Sequence, residues 1–293
     1  MQAKYSINVF SKGNNTKVTP HISRFPDGTV GVDVKGIPLV GDYVVIQVQG
    51  YEPDLINILM QIQDATRAHG SYFGVPFALY LPYLPHARYD RHMSDTDSHA
   101  LKMFALQLNA LGFADVYVID PHSTVAEGLI DNIVVSRQLQ VVSKMEDLMR
   151  MVSDADYIVA PDMGAFKKAS AVSEKYKKPL VILNKVRDLT SGEITGLEVL
   201  NNYEFKATDR MLIVDDLCDG GRTFIEAAKC LRERGSESVS LYVTHGIFSA
   251  GVLKLLSNGI QNVYCTNSFS DLILEAFPDG RVKQLDVLSM VNL

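Results

Sequence analysis

The sequence predicts an α/β protein of two domains, each built on a mainly parallel β-sheet flanked by helices. Short apolar runs recur along the chain, and segments with apolar residues at three- and four-residue spacing lie between them. Such alternation of strands and helices is typical of a parallel sheet that is covered on both faces. Acidic residues follow an apolar run in each half, at Asp120 and at Asp215. This recurrence indicates two similar domains.

Seven apolar runs are predicted to form buried strands because they are short and bounded by turn residues. They begin at Tyr43, Pro76, Asp115, Tyr157, Leu180, Met211 and Ser240. Helical spacing covers Pro53–His69 and Ser98–Leu111. Gly70 and Gly112 follow these two segments, where glycine is expected as a C-terminal cap.

The length of 293 residues exceeds a typical domain of roughly 100–200 residues, which also favours two domains. The polar stretch Ser136–Asp154 offers a place for the boundary. We expect it near residue 145, so that the domains cover residues 1–145 and 146–293.

Composition excludes several classes of protein. With 47% hydrophobic and 21% charged residues, the chain has no apolar run near the roughly 20 residues of a membrane span. No secretory signal is recognised at the start, so a cytoplasmic location is expected. A net charge of −6 argues against a broad nucleic-acid footprint. The three cysteines have no metal-type spacing and are expected to be buried, reduced thiols.

The strongest local signal is the segment MLIVDDLCDGGRTFIEAAKCLRERG, in which an apolar strand ends in Asp215 and Asp216. A turn with Gly220 and Gly221 follows, and a helix is predicted to begin near Thr223. A helix N-terminus after such a turn presents backbone amides and a partial positive charge to phosphate. The carboxylates are placed to meet sugar hydroxyls or a metal ion. A strand–turn–helix connection with acids as caps would give the same pattern.

Cationic residues follow the strand at Pro76, in the segment PYLPHARYDRHM. Ligands of open α/β sheets bind at the carboxyl ends of strands, and two arginines there suit a polyphosphate. A solvated charged loop is the alternative. The residues concerned are His86, Arg88, Asp90, Arg91 and His92.

Two further strand ends carry metal-type ligands, His122 in VIDPHS and Asp162 in VAPDMG. A hard cation such as Mg²⁺ prefers oxygen ligands and tolerates a histidine nitrogen. A lone loop histidine is more often structural, and that alternative stays open.

The segment NKVRDLTSGEITG follows the strand at Leu180 and contains Lys185 and Arg187. Cations on a closing lid stabilise charge that develops during phosphoryl transfer. A surface hairpin with ordinary charges is the alternative.

Taken together, these motifs resemble the ribose-phosphate pyrophosphokinase family, also called phosphoribosyl pyrophosphate synthetases, over nearly the whole chain. RFPDGTVGV and HARYDR resemble its ATP-binding segments, and VIDPHS resembles its metal-binding histidine segment. APDMGAFKKA, NKVR, VDDLCDGGRT and THGIFS are similar to the nucleotide–ribose segment, the lid, the ribose-phosphate loop and the segment after the next strand.

The resemblance implies two phosphoribosyltransferase-like domains with the active site between them, in a homo-oligomer whose neighbouring subunit completes the ATP site. It implies transfer of the β,γ-diphosphoryl group of ATP to the anomeric hydroxyl of ribose 5-phosphate, giving phosphoribosyl pyrophosphate and AMP, with Mg²⁺. No nucleic acid or membrane partner is expected.

The resemblance also implies site residues. The ATP-binding residues are Phe25, Asp27, Arg88, Asp90 and Arg91. The metal ligands are His122 and Asp162, and the catalytic residues are Lys185 and Arg187. The ribose-phosphate-binding residues are Asp215, Asp216, Asp219, Gly220, Gly221, Arg222 and Thr223.

Four positions depart from the family pattern. Thr29 replaces an acid, Tyr89 a glutamine, Gly220 a threonine and Arg222 a glycine. The last two exchange a hydroxyl for a cation, which suggests a ribose with an esterified 5-phosphate, such as ADP-ribose, as a second candidate acceptor. A non-catalytic regulatory homologue and a phosphoribosyltransferase that consumes the product are two competing interpretations of the whole chain.

Overall fold

The computed structural model describes residues 5–11, 17–36, 43–68, 74–187, 194–200 and 203–290. The chain divides into two compact units. Unit 1 comprises residues 1–136, 268–270 and 287–293, and unit 2 comprises residues 137–267 and 271–286. Residue 145, where we expected the domain boundary, falls within unit 2.

Unit 1 contains a six-stranded sheet and a separate two-stranded hairpin. Its strands are β1 (Tyr5–Ser11), β2 (Lys17–Val18), β3 (His21–Arg24), β4 (Val30–Asp33), β5 (Val44–Gly50), β6 (Phe77–Tyr80), β7 (Asp115–Ile119) and β8 (Ile133–Ser136). The sheet order is β2-β1-β5-β6-β7-β8, and β3 pairs with β4. The strands from β5 to β8 are parallel, whereas β1 is antiparallel to both of its neighbours.

The helices of unit 1 are α1 (Leu55–Ala68), α2 (Ala100–Asn109) and α3 (Val125–Leu129). The apolar face of α1 buries Leu55, Ile58, Leu59 and Ile62 in the same core as β5 and β6. Every residue of β5 and β6 is buried, as expected for strands covered on both faces.

Unit 2 is built on a seven-stranded sheet. Its strands are β9 (Tyr157–Ala160), β10 (Leu180–Arg187), β11 (Ile194–Val199), β12 (Arg210–Cys218), β13 (Ser238–Gly246), β14 (Asn262–Thr266) and β15 (Val282–Leu285). The order is β11-β10-β9-β12-β13-β14-β15. All neighbouring strands are parallel except β10 and β11, which form an antiparallel hairpin.

The helices of unit 2 are α4 (Gln138–Lys144), α5 (Glu146–Asp154), α6 (Phe166–Tyr176), α7 (Arg222–Glu233) and α8 (Val252–Leu256). Short 3₁₀ turns lie at Leu274–Ala276 in unit 2 and Leu288–Met290 in unit 1. The core packs Phe224, Ala227 and Leu231 of α7 with the buried side chains of β12 and β13.

The predicted α/β class with mainly parallel sheets is confirmed. The two predicted helices are α1 and α2, each slightly shorter than its apolar pattern. Gly112 has the positive φ of +64° expected near a helix end, and Gly70 lies outside the described residues. The antiparallel strands at the edges of the sheets were not predicted, because the alternation of strands and helices does not indicate which further strands pair at an edge.

One prediction from composition agrees with the fold. The cysteines Cys218, Cys230 and Cys265 are buried free thiols, and burial raises the pKa of Cys218 and of Cys265 to about 12. None of the helices in the described ranges has the length and apolar content of a membrane span.

Candidate active site

The loop between β3 and β4 presents two of the predicted ATP-binding residues in unit 1. The amide of Phe25 donates to the carbonyl of Thr29 at 2.9 Å, and Gly28 turns the chain with a φ of +87°. Asp27 accepts hydrogen bonds from the Thr29 hydroxyl at 2.7 Å and the Thr29 amide at 3.0 Å. These bonds lower the pKa of Asp27. The Phe25 ring remains 54% exposed at the tip of this ordered turn.

An ion-pair network anchors the loop to the start of α1. Arg24, the last residue of β3, pairs with the buried Glu52 and, at 2.7 Å, with Asp54. Gln61 of α1 donates from Nε2 to the carbonyl of Val30 in β4 at 2.8 Å. The hairpin is therefore held at both strands, and its tip is left exposed.

The cationic segment lies at the carboxyl end of β6, as predicted. His86 has a left-handed φ of +61° and packs against Tyr51 and Phe104. Burial lowers its pKa. The arginines after it are exposed, and Arg91 lies 3.5 Å from the carboxylate of Asp90. The start of the segment is therefore held by packing at His86, and its exposed end, the cationic tip, carries the arginine side chains.

His122 follows the neighbouring strand β7, so it lies at the same edge of the unit 1 sheet as the cationic segment. Asp120, which lies between β7 and His122 in the sequence, is buried and has a left-handed φ of +40°. Its amide donates to the carbonyl of Ser136 at 2.8 Å. This bend sets the direction of the loop on which the exposed His122 side chain lies.

In unit 2, three acids and a lysine meet at the carboxyl ends of the adjacent strands β9 and β12. Asp162 follows β9, and its Oδ1 accepts hydrogen bonds from the amides of Gly164 and Ala165 at 3.0 and 3.2 Å. Lys168 in the first turn of α6 lies 3.3 Å from Oδ2 of the buried Asp216.

Asp215 and Asp216 form an interacting pair. The Asp216 amide donates to Oδ1 of Asp215 at 2.8 Å. Desolvation raises the pKa of Asp215 well above 3.8, and the negative charge of Asp216 raises it further. A ligand that offers hydroxyl donors or positive charge would favour the ionised form of this carboxyl.

The turn after β12 has the geometry of an anion site. Gly221 is the N-cap of α7 and has a φ of +78°. The positive φ favours glycine, and a Cβ atom there would lie 2.7 Å from Cδ2 of Leu255, which would have to shift. Because α7 begins at Arg222, the amides of its first turn have no intrahelical acceptor. The amides of Ile247 and Phe248 both donate to the Cys218 carbonyl, which fixes the end of β12.

The side chain of Arg222 points along its own helix. Its Nε lies 2.7 Å from Oε1 of Glu226, and the side chain is 82% exposed. Nothing lies closer to a Cβ built at Gly220 than Oγ of Ser249, at 3.9 Å. The guanidinium that replaces the family glycine is thus engaged with a carboxylate. This arrangement does not favour the esterified ribose that we inferred from the sequence.

Lys185 and Arg187 lie on β10, where Lys185 is opposite Leu197 of β11 and the register shifts between Val186 and Arg187. The two cations therefore lie on an antiparallel strand pair, and the lid stays a prediction. The side chains of the two cations and residues 188–193 lie outside the described part of the chain.

Comparisons with known proteins agree with this geometry. The model of the phosphoribosyl transferase domain family matches residues 135–252. A ribose-phosphate pyrophosphokinase of Thermosipho africanus is 29% identical over 257 residues, covering 85% of this chain and 78% of that protein. The chloroplastic ribose-phosphate pyrophosphokinase 2 of rice, Oryza sativa subsp. japonica, is 30% identical over 277 residues, covering 93% of this chain and 66% of that protein.

The chain belongs to the ribose-phosphate pyrophosphokinase family.

The fold agrees with this assignment. The crystal structure of phosphoribosylpyrophosphate synthetase from Mycobacterium smegmatis superposes with a TM-score of 0.75 at 22% identity, over 93% of this chain and 87% of that one. The predicted phosphoribosyltransferase-like fold of the pyrophosphokinase family is therefore confirmed.

Several residues that support the pyrophosphokinase site were missed from the sequence. Arg24 and Glu52 hold the first loop, and Lys168 neutralises Asp216. Lys168 lies within the quoted motif APDMGAFKKA, but two lysines adjoin there and only the fold distinguishes the one that faces β12. The spacing of Arg222 and Glu226 by four residues was a readable signal of their ion pair.

Proposed function

We propose that this protein transfers the β,γ-diphosphoryl group of ATP to the anomeric hydroxyl of ribose 5-phosphate, forming phosphoribosyl pyrophosphate and AMP. The observation that carries the proposal is the end of β12, where a carboxylate pair precedes a glycine turn and the N-terminus of α7. Carboxylates suit sugar hydroxyls, and the amides of a helix N-terminus suit a phosphate. Because the chain belongs to the pyrophosphokinase family, we take the sugar and the phosphate to be those of ribose 5-phosphate.

The acceptor is held by unit 2. Asp215 and Asp216 accept hydrogen bonds from the ribose hydroxyls, and the backbone from Asp219 to Thr223 binds the 5-phosphate. The φ of Gly221 and the start of α7 at Arg222 support this role, because they leave amides of that turn without intrahelical acceptors.

The nucleotide is held by the loops of unit 1. The exposed ring of Phe25 stacks on adenine, and the ordered Asp27 accepts a hydrogen bond from it. Arg88 and Arg91 bind the phosphates, and Asp90 contributes to the ATP site by pairing with Arg91. The exposed ring and cationic tip support these roles. Exposure of Phe25 also supports a homo-oligomer in which this loop reaches the nucleotide of a neighbouring subunit.

A magnesium ion fits the donor set. Among the described residues, no three His, Cys, Asp or Glu side chains converge as a metal cage. Mg²⁺ bound to a nucleotide is usually held by one or two carboxylates together with phosphate oxygens and water. His122 and Asp162 are each proposed as ligands. The ion would neutralise charge on the phosphates.

The chemistry needs no protein nucleophile. The anomeric hydroxyl attacks the β-phosphorus of ATP and releases its proton to water, the bond from that phosphorus to the α-phosphate oxygen breaks, and AMP leaves. Catalysis is then positioning together with neutralisation of charge on the transferred group. Lys185 and Arg187 on the β10–β11 hairpin supply that charge in the transition state.

The experiment follows the reaction by ³¹P NMR in the wild-type protein and in Lys185→Ala. We expect a diphosphoryl group on C1 of the sugar, AMP as co-product, and a loss of kcat of at least about a hundredfold in Lys185→Ala. Lys175→Ala is the matched control, because Lys175 is exposed in the last turn of α6. Unchanged turnover in Lys185→Ala would refute the assigned mechanism. A wild-type protein without turnover would favour the regulatory homologue.

A further inference from the structure

The side chain of Gln138, the first residue of α4, contacts the acidic end of β12. Its Nε2 donates to the carbonyl of Asp215 at 2.6 Å and to Oγ1 of Thr244 at 3.3 Å. Gln138 is only 2% exposed. The start of its helix is fixed in turn, because the Arg137 amide donates to Oε1 of Gln140 at 2.7 Å. Gln138 therefore reaches two neighbouring strands from an ordered position.

The contact falls where β12 has strand pairing on one side only. The pairing of β12 with β13 continues to Cys218, whereas its pairing with β9 covers Met211–Ile213. The segment that carries Asp215 and Asp216 thus extends beyond the support of β9. Gln138 supplies a hydrogen bond to the backbone within this segment.

The same side chain ends a buried polar chain across the sheet. Thr244 of β13 accepts from Gln138 through its hydroxyl, and its carbonyl accepts from the Thr266 hydroxyl at 2.6 Å. The carbonyl of Thr266 accepts from Nε2 of Gln284 at 3.3 Å. The chain connects the carboxyl ends of β12, β13, β14 and β15. Gln138 lies at the end of this chain that adjoins Asp215.

The side-chain oxygen of Gln138, unlike its nitrogen, lacks a hydrogen-bond partner among the described residues. This oxygen, Oε1, is buried. A buried acceptor without a donor costs free energy, and an apolar side chain of the same shape would avoid that cost. Methionine would remove this unpaired acceptor. What methionine would not supply is the bond to the Asp215 carbonyl.

We infer that Gln138 is a positioning residue for the acceptor sugar. By holding the carbonyl of Asp215, it fixes the backbone from which the carboxylates of Asp215 and Asp216 project toward the ribose hydroxyls. The Asp215 carboxylate is held on the same backbone, because the Asp216 amide donates to its Oδ1. The inference rests on the proposed function of these carboxylates.

The test compares Gln138→Met with the wild-type protein in steady-state kinetics and in hydrogen exchange. Loss of one hydrogen bond at the acceptor site should raise KM for ribose 5-phosphate roughly five- to tenfold. KM for ATP should stay within about twofold, and Tm within about 2 °C, because the core is unchanged. The peptide covering Met211–Asp219 should exchange its amide hydrogens faster.

Gln107→Met is the matched control, since it makes the same substitution at an exposed glutamine of α2, in unit 1. It should leave both KM values and the exchange of this peptide unchanged. If Gln138→Met does not fold, Gln138→Leu is measured in the same way, because it also removes the amide donor and adds no charge.

An unchanged KM for ribose 5-phosphate and unchanged exchange would overturn the inference, as would equal rises in KM for both substrates. If the wild-type protein fails to use ribose 5-phosphate, the proposed function fails. The exchange of Met211–Asp219 would then still support or overturn the positioning of this segment by Gln138.

Discussion

Replacement of Lys168 by methionine tests the electrostatics of the acidic cluster in unit 2. The ammonium group of Lys168 lies 3.3 Å from Asp216, and the two side chains are 21% and 6% exposed. Two unit charges at that separation attract by about 5 kcal/mol at an effective dielectric constant of about 20. Methionine keeps the apolar stem and removes the charge, so Asp216 is left buried without this cation.

The measurable loss is smaller than the Coulomb energy. Water reaches the lysine, and breaking the pair also restores hydration of part of the site. We therefore expect the free energy of unfolding to fall by about 2 kcal/mol, which corresponds to a Tm lower by about 4–8 °C. Urea unfolding at pH 7.5 measures the change directly. The difference should persist in 1 M NaCl, at a Debye length of about 3 Å, because the pair is partly buried.

Lys167→Met is the control for Lys168→Met. It makes the same charge change at the adjacent residue of α6, where Lys167 is exposed and makes no ion pair with the described residues. We expect its free energy of unfolding to stay within about 0.5 kcal/mol of the wild-type value. Equal destabilisation by the two substitutions, or an effect that vanishes in high salt, would refute the reasoning.

Three further predictions concern the loops. Arg24→Met removes the ion pair with Glu52, so KM for ATP should rise about tenfold with KM for ribose 5-phosphate unchanged; equal effects on both substrates would argue against a role confined to the first loop. The raised pKa of Asp215 means that the folded state binds its proton more tightly, so the contribution of Asp215 to stability falls as pH rises from 3.8 toward the folded pKa. Asp215→Asn should remove this contribution to the slope of Tm against pH, and an unaltered slope would contradict the prediction. Gly221→Ala should lower the free energy of unfolding in urea by about 1–3 kcal/mol, because φ is positive and the new Cβ would meet Leu255. A further Leu255→Ala substitution should not relieve the part of this loss that comes from φ, and an unchanged stability in Gly221→Ala would disprove the need for glycine.

The sequence predicted the strand–turn–helix at β12 and α7 because each step has a local cause. A short apolar run makes the strand, Gly220 and Gly221 make the turn, and an amphipathic repeat makes the helix. The helix begins at Arg222, one residue from the predicted start near Thr223. No local pattern predicts the edge strands of the sheets, since the pairing of β1 with β5 depends on which edge of the sheet is available to a further strand.

The sequence indicated which residue types lie at the candidate site but not their contacts. Asp216 was predicted to bind the ribose hydroxyls, and its pairing with Lys168 depends on how α6 packs on β9 and β12. Arg222 was interpreted as a new phosphate contact, whereas the side chain pairs with Glu226 along the helix. Spacing indicates which partners are available, and only packing decides between them.

The most direct test of the central claim is the identity of the products formed from ATP and ribose 5-phosphate in the presence of Mg²⁺. AMP and the 1-diphosphorylated sugar should appear in equal amounts. ADP-ribose, offered in parallel, should be used with a kcat/KM lower by at least about a hundredfold. Formation of ADP in place of AMP, or turnover with ADP-ribose and none with ribose 5-phosphate, would contradict the account.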